Sequence, residues 1–448
     1  MIARTLSFDQ VHDLSGFLRE FVPNADLDKC RASLKMFEEM RDCETLNTMV
    51  RADRIIGSYS HERVIRVLAG IVYFWKRTLT HIRPDVVIGE VACATEWIAW
   101  VLARRMGIPF LIPYPTPVTN RFFFIEEPKG AWTRMQNNFD ECIRRRLTSQ
   151  EAQIAESFVM DFRANKSKPL FLKWSERSPL NPNLHGLWRR IGRIPFRIQS
   201  YIESGPYEVG SYHGTPPWRP MWQDLMQICR YAYCESTLFE HNVPQGPFIY
   251  FPLHVQPEFT TDVRAPSLTN QIAVIENISR SVPITHRVIV KEHPGMSGER
   301  KPSYYQQLRS LHNVRLISRS VDSHELIKHA DAVVTITGST AWEAILYEKP
   351  VIALGPLCYG FCDLIYGCKD IAALSHYIEK ALNSHRPNHN VLLKYVWSFL
   401  DTAYELQWGD PIRMPHICES SNVRKIAQAI ISESIFRAAP RPPELIMN

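Results

Sequence analysis

From residue 246 to residue 354 apolar and polar stretches alternate in a regular order. The spacing predicts strand 247–253, helix 268–281, strand 287–291, helix 303–311, strand 313–317, helix 322–329, strand 331–336, helix 341–347 and strand 350–354. Strands that alternate with helices at this spacing predict a doubly wound domain with a parallel sheet. A shorter unit of the same kind lies upstream: a strand at 84–89, a helix at 94–106 and a strand at 108–112, with Gly107 where the helix should stop. Before residue 83 the pattern is helical, with apolar positions three and four apart over 32–40 and 64–75. Between 126 and 242 the alternation is lost. Residues 136–162 read as one helix, and 166–222 is rich in Pro, Arg and Trp without a period-two strand. After 370 the chain reads as a helical tail expected to pack back against the first domain. The expected architecture is α/β, two doubly wound Rossmann-like domains facing a cleft, with a helical insertion and a helical tail. The boundaries fall at 1–125, 126–245, 246–370 and 371–448.

Three polar islands stand where apolar runs of the later domain stop, at 251–258, 291–294 and 337–343. In an open α/β sheet the carboxyl ends of the strands line the ligand crevice, so the islands describe one site. In the last island Thr337, Gly338, Ser339 and Thr340 open a helix. A glycine turn at a helix start leaves backbone N–H groups unpaired and suits a phosphate. Thr340 and Glu343 also have the spacing of a capping box, which closes a helix start without a ligand. In the middle island Lys291 and His293 could neutralise a departing phosphate, with Pro294 fixing the turn. In the first, His254, Gln256 and Glu258 occupy alternate positions and would form one polar wall on an extended segment. Glu90, at the end of the strand at 84–89, is a candidate general base.

Bulk properties narrow the field. With 448 residues the chain exceeds one ordinary core, and 45% hydrophobic with 22% charged residues is globular. The net charge of +6 suits an anionic ligand or an anionic membrane surface, and no nucleic-acid motif accompanies it. Arg189, Arg190, Arg193 and Arg197, interleaved with Trp188 and Phe196, could dock an anionic or lipid-linked acceptor, or simply form a solvated basic face. The ten cysteines contain no C-x-x-C pair, and Cys358, Cys362 and Cys368 lack histidine partners, so no metal is expected. The longest apolar stretch, 67–75, is far short of the ~20 residues that span a bilayer. With no secretory leader evident, the expected setting is cytoplasmic, with peripheral attachment at the inner face of the membrane suggested. No P-loop and no G-x-G-x-x-G after a strand is present. His329 stands one residue too far from His324 and Glu325 for a zinc helix, and Asp26 with Asp28 reads as a helix cap.

The islands resemble the bacterial capsule polysaccharide biosynthesis proteins, the family of GT-B architecture that includes the Kdo-transferring capsule proteins. The matching residues are Pro252, Leu253, His254, Gln256, Pro257 and Glu258; Lys291 to Pro294; and Thr337, Gly338 and Ser339 with Glu343. The likeness covers 247–355 well and 84–113 loosely. It implies a glycosyltransferase that uses a nucleotide-activated sugar, often a CMP-sugar, as its donor substrate, with no further cofactor. Gln256, Lys291, His293, Thr337, Gly338, Ser339, Thr340 and Glu343 would hold the donor. His254 with Glu258 or Glu90 would carry the chemistry, and a glycan or lipid-linked acceptor would enter near 120–124. The catalytic carboxylate and the stereochemical outcome stay open. An NDP-sugar 2-epimerase and a non-catalytic polysaccharide-assembly protein are the alternatives.

Overall fold

The computed structural model describes residues 11–40, 44–118, 120–165, 218–362, 364–409 and 414–438, with a few positions between 192 and 202. The basic and aromatic residues at 188–190, 193, 196 and 197 lie outside the described residues. The chain divides into two compact units whose boundaries differ from those read in the sequence. The first holds the described residues up to Phe110 together with Pro257–Phe259; the second holds Leu111 onward, apart from those three residues and a segment ending at Leu225 that belongs to the first.

In the first unit the helices are α1 (Leu14–Asn24), α2 (Leu27–Glu39), α3 (Leu46–Ala52) and α4 (His61–Ile82), followed by strand β1 (Val87–Ile88) and helix α5 (Ala94–Arg105). Asp26 caps α2 by accepting the Lys29 N–H at 2.8 Å, the local role read from sequence. α4 buries Ile65, Leu68, Val72 and Leu79 and packs against α1, α2 and α5. The strand–helix–strand unit is present but its first strand is only two residues long, with Val87 N–H bonded to the Pro109 carbonyl at 2.9 Å.

The second unit takes in β2 (Phe110–Pro115) from Leu111, β3 (Arg121–Ile125), α6 (Thr133–Arg144), α7 (Ser149–Asn165) and α8 (Trp218–Thr237) from Met226. β2 and β3 pair antiparallel, contrary to an all-parallel reading of both domains. The cause is local: the Thr116 hydroxyl bonds the carbonyls of Val118 and Arg121, and Asn120 takes φ +62, which closes a hairpin. The expected helix over 136–162 is two helices. Between them Thr148 and Glu151 form a reciprocal cap, at 3.2 and 2.8 Å.

The remaining elements are β4 (Phe248–Pro252), α9 (Gln271–Ser281), β5 (Arg287–Lys291), α10 (Pro302–Arg309), β6 (Val314–Ile317), α11 (Ser323–His329), β7 (Ala332–Thr335), α12 (Thr340–Leu346), β8 (Val351–Ala353) and β9 (Ile365–Gly367). After them come α13 (Leu374–Ser384), α14 (His389–Thr402), β10 (Tyr404–Glu405) and α15 (Ser420–Ala438). Strands β4 to β9 form one parallel sheet in the order β6-β5-β4-β7-β8-β9. Counted within the domain this is third, second, first, fourth, fifth, sixth, the Rossmann order, with its reversal between β4 and β7. Ile249, Phe251, Val288, Val290, Val334 and Ile352 build its core and are all but fully buried. Each contributes about 1.5–3 kcal/mol relative to exposure.

Two sequence expectations are corrected here. α6 and α7 pack on α14, so residues 133–165 are part of the second unit and not an insertion. The tail belongs to this unit as well: α13 packs on α9 and β8, and β10 pairs antiparallel with β3. Among the described residues no helix is long and apolar enough to cross a membrane.

Candidate functional site

Because the six strands run parallel, the exits of β5, β4 and β7 lie side by side at one edge of the sheet, and the three islands follow those exits. His254, two residues past β4, is 6% exposed. Its Nε2 lies 3.2 Å from the Thr335 hydroxyl and accepts the Thr337 N–H at 3.3 Å. The proton of the neutral ring is therefore on Nδ1, which is buried. Burial lowers its pKa to about 3, helped by the charges of His293 and Arg300 and opposed by the Pro252 carbonyl. At neutral pH His254 is an uncharged prop for the turn after β7.

His293 begins a short 3-10 turn after β5. Its Nδ1 accepts the Gly295 N–H at 3.0 Å, so the neutral ring carries its proton on Nε2. No hydrogen bond links Nε2 to the described protein, and the residue is partly exposed. Burial first, then Arg300 and Lys291, lower its pKa to about 4. His293 is thus a neutral N–H donor on a partly exposed residue.

The turn after β7 differs in detail from a capping box. Ser339 stands at the cap position in helical geometry without a side-chain cap bond, and Thr340 is the first helical residue. Neither the N–H nor the hydroxyl of Ser339 or Thr340 has a hydrogen-bond partner among the described residues, and both residues are partly exposed. Thr337 is tied down by its hydroxyl to the Thr260 carbonyl (2.6 Å), and Gly338 N–H bonds the Thr335 hydroxyl (3.1 Å). At Gly338 a Cβ would stand 3.0 Å from both His254 Nε2 and Thr335 Oγ1, so a side chain there would push those two groups back by a few tenths of an ångström.

Other sequence candidates are spent inside the fold. Lys291 is 6% exposed, and its Nζ donates to the Val321 carbonyl (2.5 Å) and the Ser323 hydroxyl (2.7 Å). Gln256 donates to the Thr269 carbonyl (2.6 Å) and accepts from Gln271 (2.7 Å). Glu343 is buried on the inner side of α12, 5% exposed. The expected row of His254, Gln256 and Glu258 is not one polar wall, since the first two face into packed surroundings. Glu258 and Glu90 both belong to the first unit, Glu90 exposed after β1 and Glu258 next to Pro257, whose carbonyl accepts from Arg54 at 2.5 Å.

Several participants were not evident in sequence. Gln271 clasps the peptide of His254, accepting its N–H (2.8 Å) and donating to its carbonyl (3.1 Å). Glu292, inside the middle island, pairs with Arg300 and accepts the Tyr305 hydroxyl. In the first unit Glu96 accepts the Ala92 N–H at 2.7 Å, and burial, with the charge of Glu90, raises its pKa above the carboxylate norm. A glutamate three residues after the Cys93 cap position was the available signal for it. No three His, Cys, Asp or Glu side chains among the described residues are grouped to hold a metal ion. Cys358, Cys362 and Cys368 are buried thiols outside any disulfide.

The segment that builds this edge lies within the part of the chain that a family model matches. Residues 244–381 match the family model described as capsule polysaccharide biosynthesis protein. The sequence likeness to the capsule family thus has its basis in the Rossmann-ordered sheet and its three islands. Protein FixF of Sinorhizobium fredii is 26% identical over 162 residues, which are 34% of this chain and 37% of that protein. The chain therefore spans little more than a third of that relative. Among solved structures, the β-Kdo 2,4-transferase KpsC of Thermosulfurimonas dismutans aligns with 12% identity and a TM-score of 0.38, over 70% of this chain and 78% of that one. The Methanocaldococcus jannaschii UDP-GlcNAc 2-epimerase in complex with UDP-GlcNAc and UDP aligns with 14% identity and a TM-score of 0.25, over 87% and 95%.

Proposed function

We propose that the chain is a glycosyltransferase of capsular or surface polysaccharide synthesis, with a nucleotide-activated sugar as donor. One observation carries the reading: partly exposed residues with unused donors, His293 after β5 and Ser339 and Thr340 after β7, follow strand exits on either side of β4, beside the strand-order reversal where Rossmann-ordered sheets bind nucleotides. The His293 Nε2–H and the N–H and hydroxyl groups of Ser339 and Thr340 would receive the phosphate oxygens of the donor. As the bond from the sugar carbon to the phosphate oxygen breaks, the same donors would take up the charge of the departing nucleotide.

The acceptor hydroxyl needs a base as it attacks. Glu90 and Glu258 are the carboxylates read from sequence for that role. The donor is expected to be CMP-linked, the architecture of GT-B type, and the charge neutralisation to need no metal. The acceptor is expected to be a glycan or lipid-linked glycan presented at the membrane surface.

A panel of CMP, UDP, GDP and their sugars, followed by thermal melting of the full chain, tests the donor assignment. The cognate nucleotide should raise the melting point. If none does, the reading is lost. Turnover of a UDP-sugar without any acceptor would instead indicate an epimerase, and binding without turnover an assembly protein.

A further inference from the structure

Behind the two histidines lies a buried ion pair. Arg300 and Glu292 have side chains 7% and 4% exposed. Arg300 Nη1 donates to Glu292 Oε1, and its Nη2 donates to the His254 carbonyl at 2.5 Å. The same Glu292 oxygen accepts the His293 N–H at 2.7 Å, and the other accepts the Tyr305 hydroxyl. The Tyr304 ring lies 5.2 Å from the guanidinium. One planar cation thus joins the backbone of His254, after β4, to that of His293, after β5.

Stability alone is a poor reason for such a pair. Desolvation cancels most of the attraction between buried ions, and apolar replacements of similar volume are often as stable. What the pair supplies is geometry, since a guanidinium presents its N–H groups in a fixed fork and an ammonium does not. The charge also faces His293, whose other charged neighbours are Lys291 and the Glu292 carboxylate that accepts its backbone N–H, while the His254 ring is neutral.

We propose that Arg300 is a positioning residue, its guanidinium locking the exits of β4 and β5 together so that His254 and His293 keep their places beside the turn at 337–340. For its binding consequence this rests on the donor-phosphate reading above; its consequence for His293 itself does not.

The test uses the full chain with labelled histidines. Arg300→Met removes the clamp and the charge, so the His293 titration midpoint should rise by about half a unit or more. Affinity for the cognate nucleotide should fall about tenfold. Arg300→Lys keeps the charge but reaches one acceptor only, so the midpoint should stay near that of the native protein while affinity still falls about tenfold. That split distinguishes positioning from a general charge effect. A folded Arg300→Met protein with both readouts unchanged overturns the proposal. Should that variant not fold, undiminished affinity in Arg300→Lys overturns it. If the native protein binds no nucleotide, the donor reading fails, and the clamp is then judged by amide exchange. Exchange at His293 should quicken in Arg300→Lys, and an unchanged rate rejects the clamp.

Discussion

His254 Nε2 accepts the backbone N–H of Thr337 at 3.3 Å, across the point where the strand order of the main sheet reverses. A side chain from the first strand of the domain thereby holds the turn that follows the fourth. It does so only while neutral, because a protonated Nε2 would face that N–H donor to donor.

A pH dependence of stability follows. The unfolded chain protonates His254 near 6.5 and the folded chain near 3, so between those values the unfolded state binds more protons. The stabilisation is full above the unfolded value and is lost as pH falls towards the folded one. His293, with its folded value near 4, adds in the same direction. At about 1.4 kcal/mol per unit, several kcal/mol should be lost between pH 6.5 and 4. Urea denaturation over that range should show the slope in the native protein and a shallower one in His254→Gln. An equal slope in both would remove His254 as its source.

Lys291 and His293, two residues apart, should behave differently when replaced. Lys291→Met strips two hydrogen bonds from the interior and should lower stability by about 1–3 kcal/mol while largely sparing donor affinity. His293→Ala should leave stability nearly intact and weaken the cognate donor about tenfold. Titration calorimetry alongside urea melts separates the two, and the reverse pattern would refute the assignment of inward and outward roles.

At Gly338 a side chain would press on His254 and Thr335, both 3.0 Å from where its Cβ would stand. Gly338→Ala should therefore displace the turn and weaken donor binding more than Ser339→Ala, which leaves the backbone N–H in place. Equal affinities would show that the turn tolerates movement.

Gly298 lies in the loop that carries Arg300, with φ +72 and the Gln227 carbonyl oxygen only 2.1 Å from where a Cβ would stand. The obstacle is backbone and cannot rotate away. Gly298→Ala should cost more than ~2 kcal/mol and weaken donor binding as well. A melting point within a degree of the native one would contradict this.

The main sheet was legible because runs such as Val288 to Val290 are buried on both faces and leave no ambiguity of type. β9 was not, since Ile365–Gly367 is three residues long and ends in a polar stretch. Sequence located the strand exits but not the direction each side chain takes. Lys291, the last residue of β5, therefore read as a ligand although it points inward. Thr340 read as a cap because a hydroxyl three residues before a glutamate fits that pattern. The helix begins one residue earlier than a cap there would require, and Ser339 takes the position. Arg300 left no trace, because its partners come from two separate strand exits and no spacing rule links them.

β10, at residues 404 and 405, is the edge strand of a sheet in which its partner β3 was laid down at 121–125. Arg121 meets it there, bonding the Leu400 carbonyl and the Glu405 carboxylate. During synthesis the free edge of β3 therefore waits for nearly three hundred residues to emerge, an open template for non-native strand pairing. Chain interruption between these points leaves an N-terminal fragment with an unsatisfied edge, and supplying the missing strand in trans on the later fragment gives a route to reassembly by complementation.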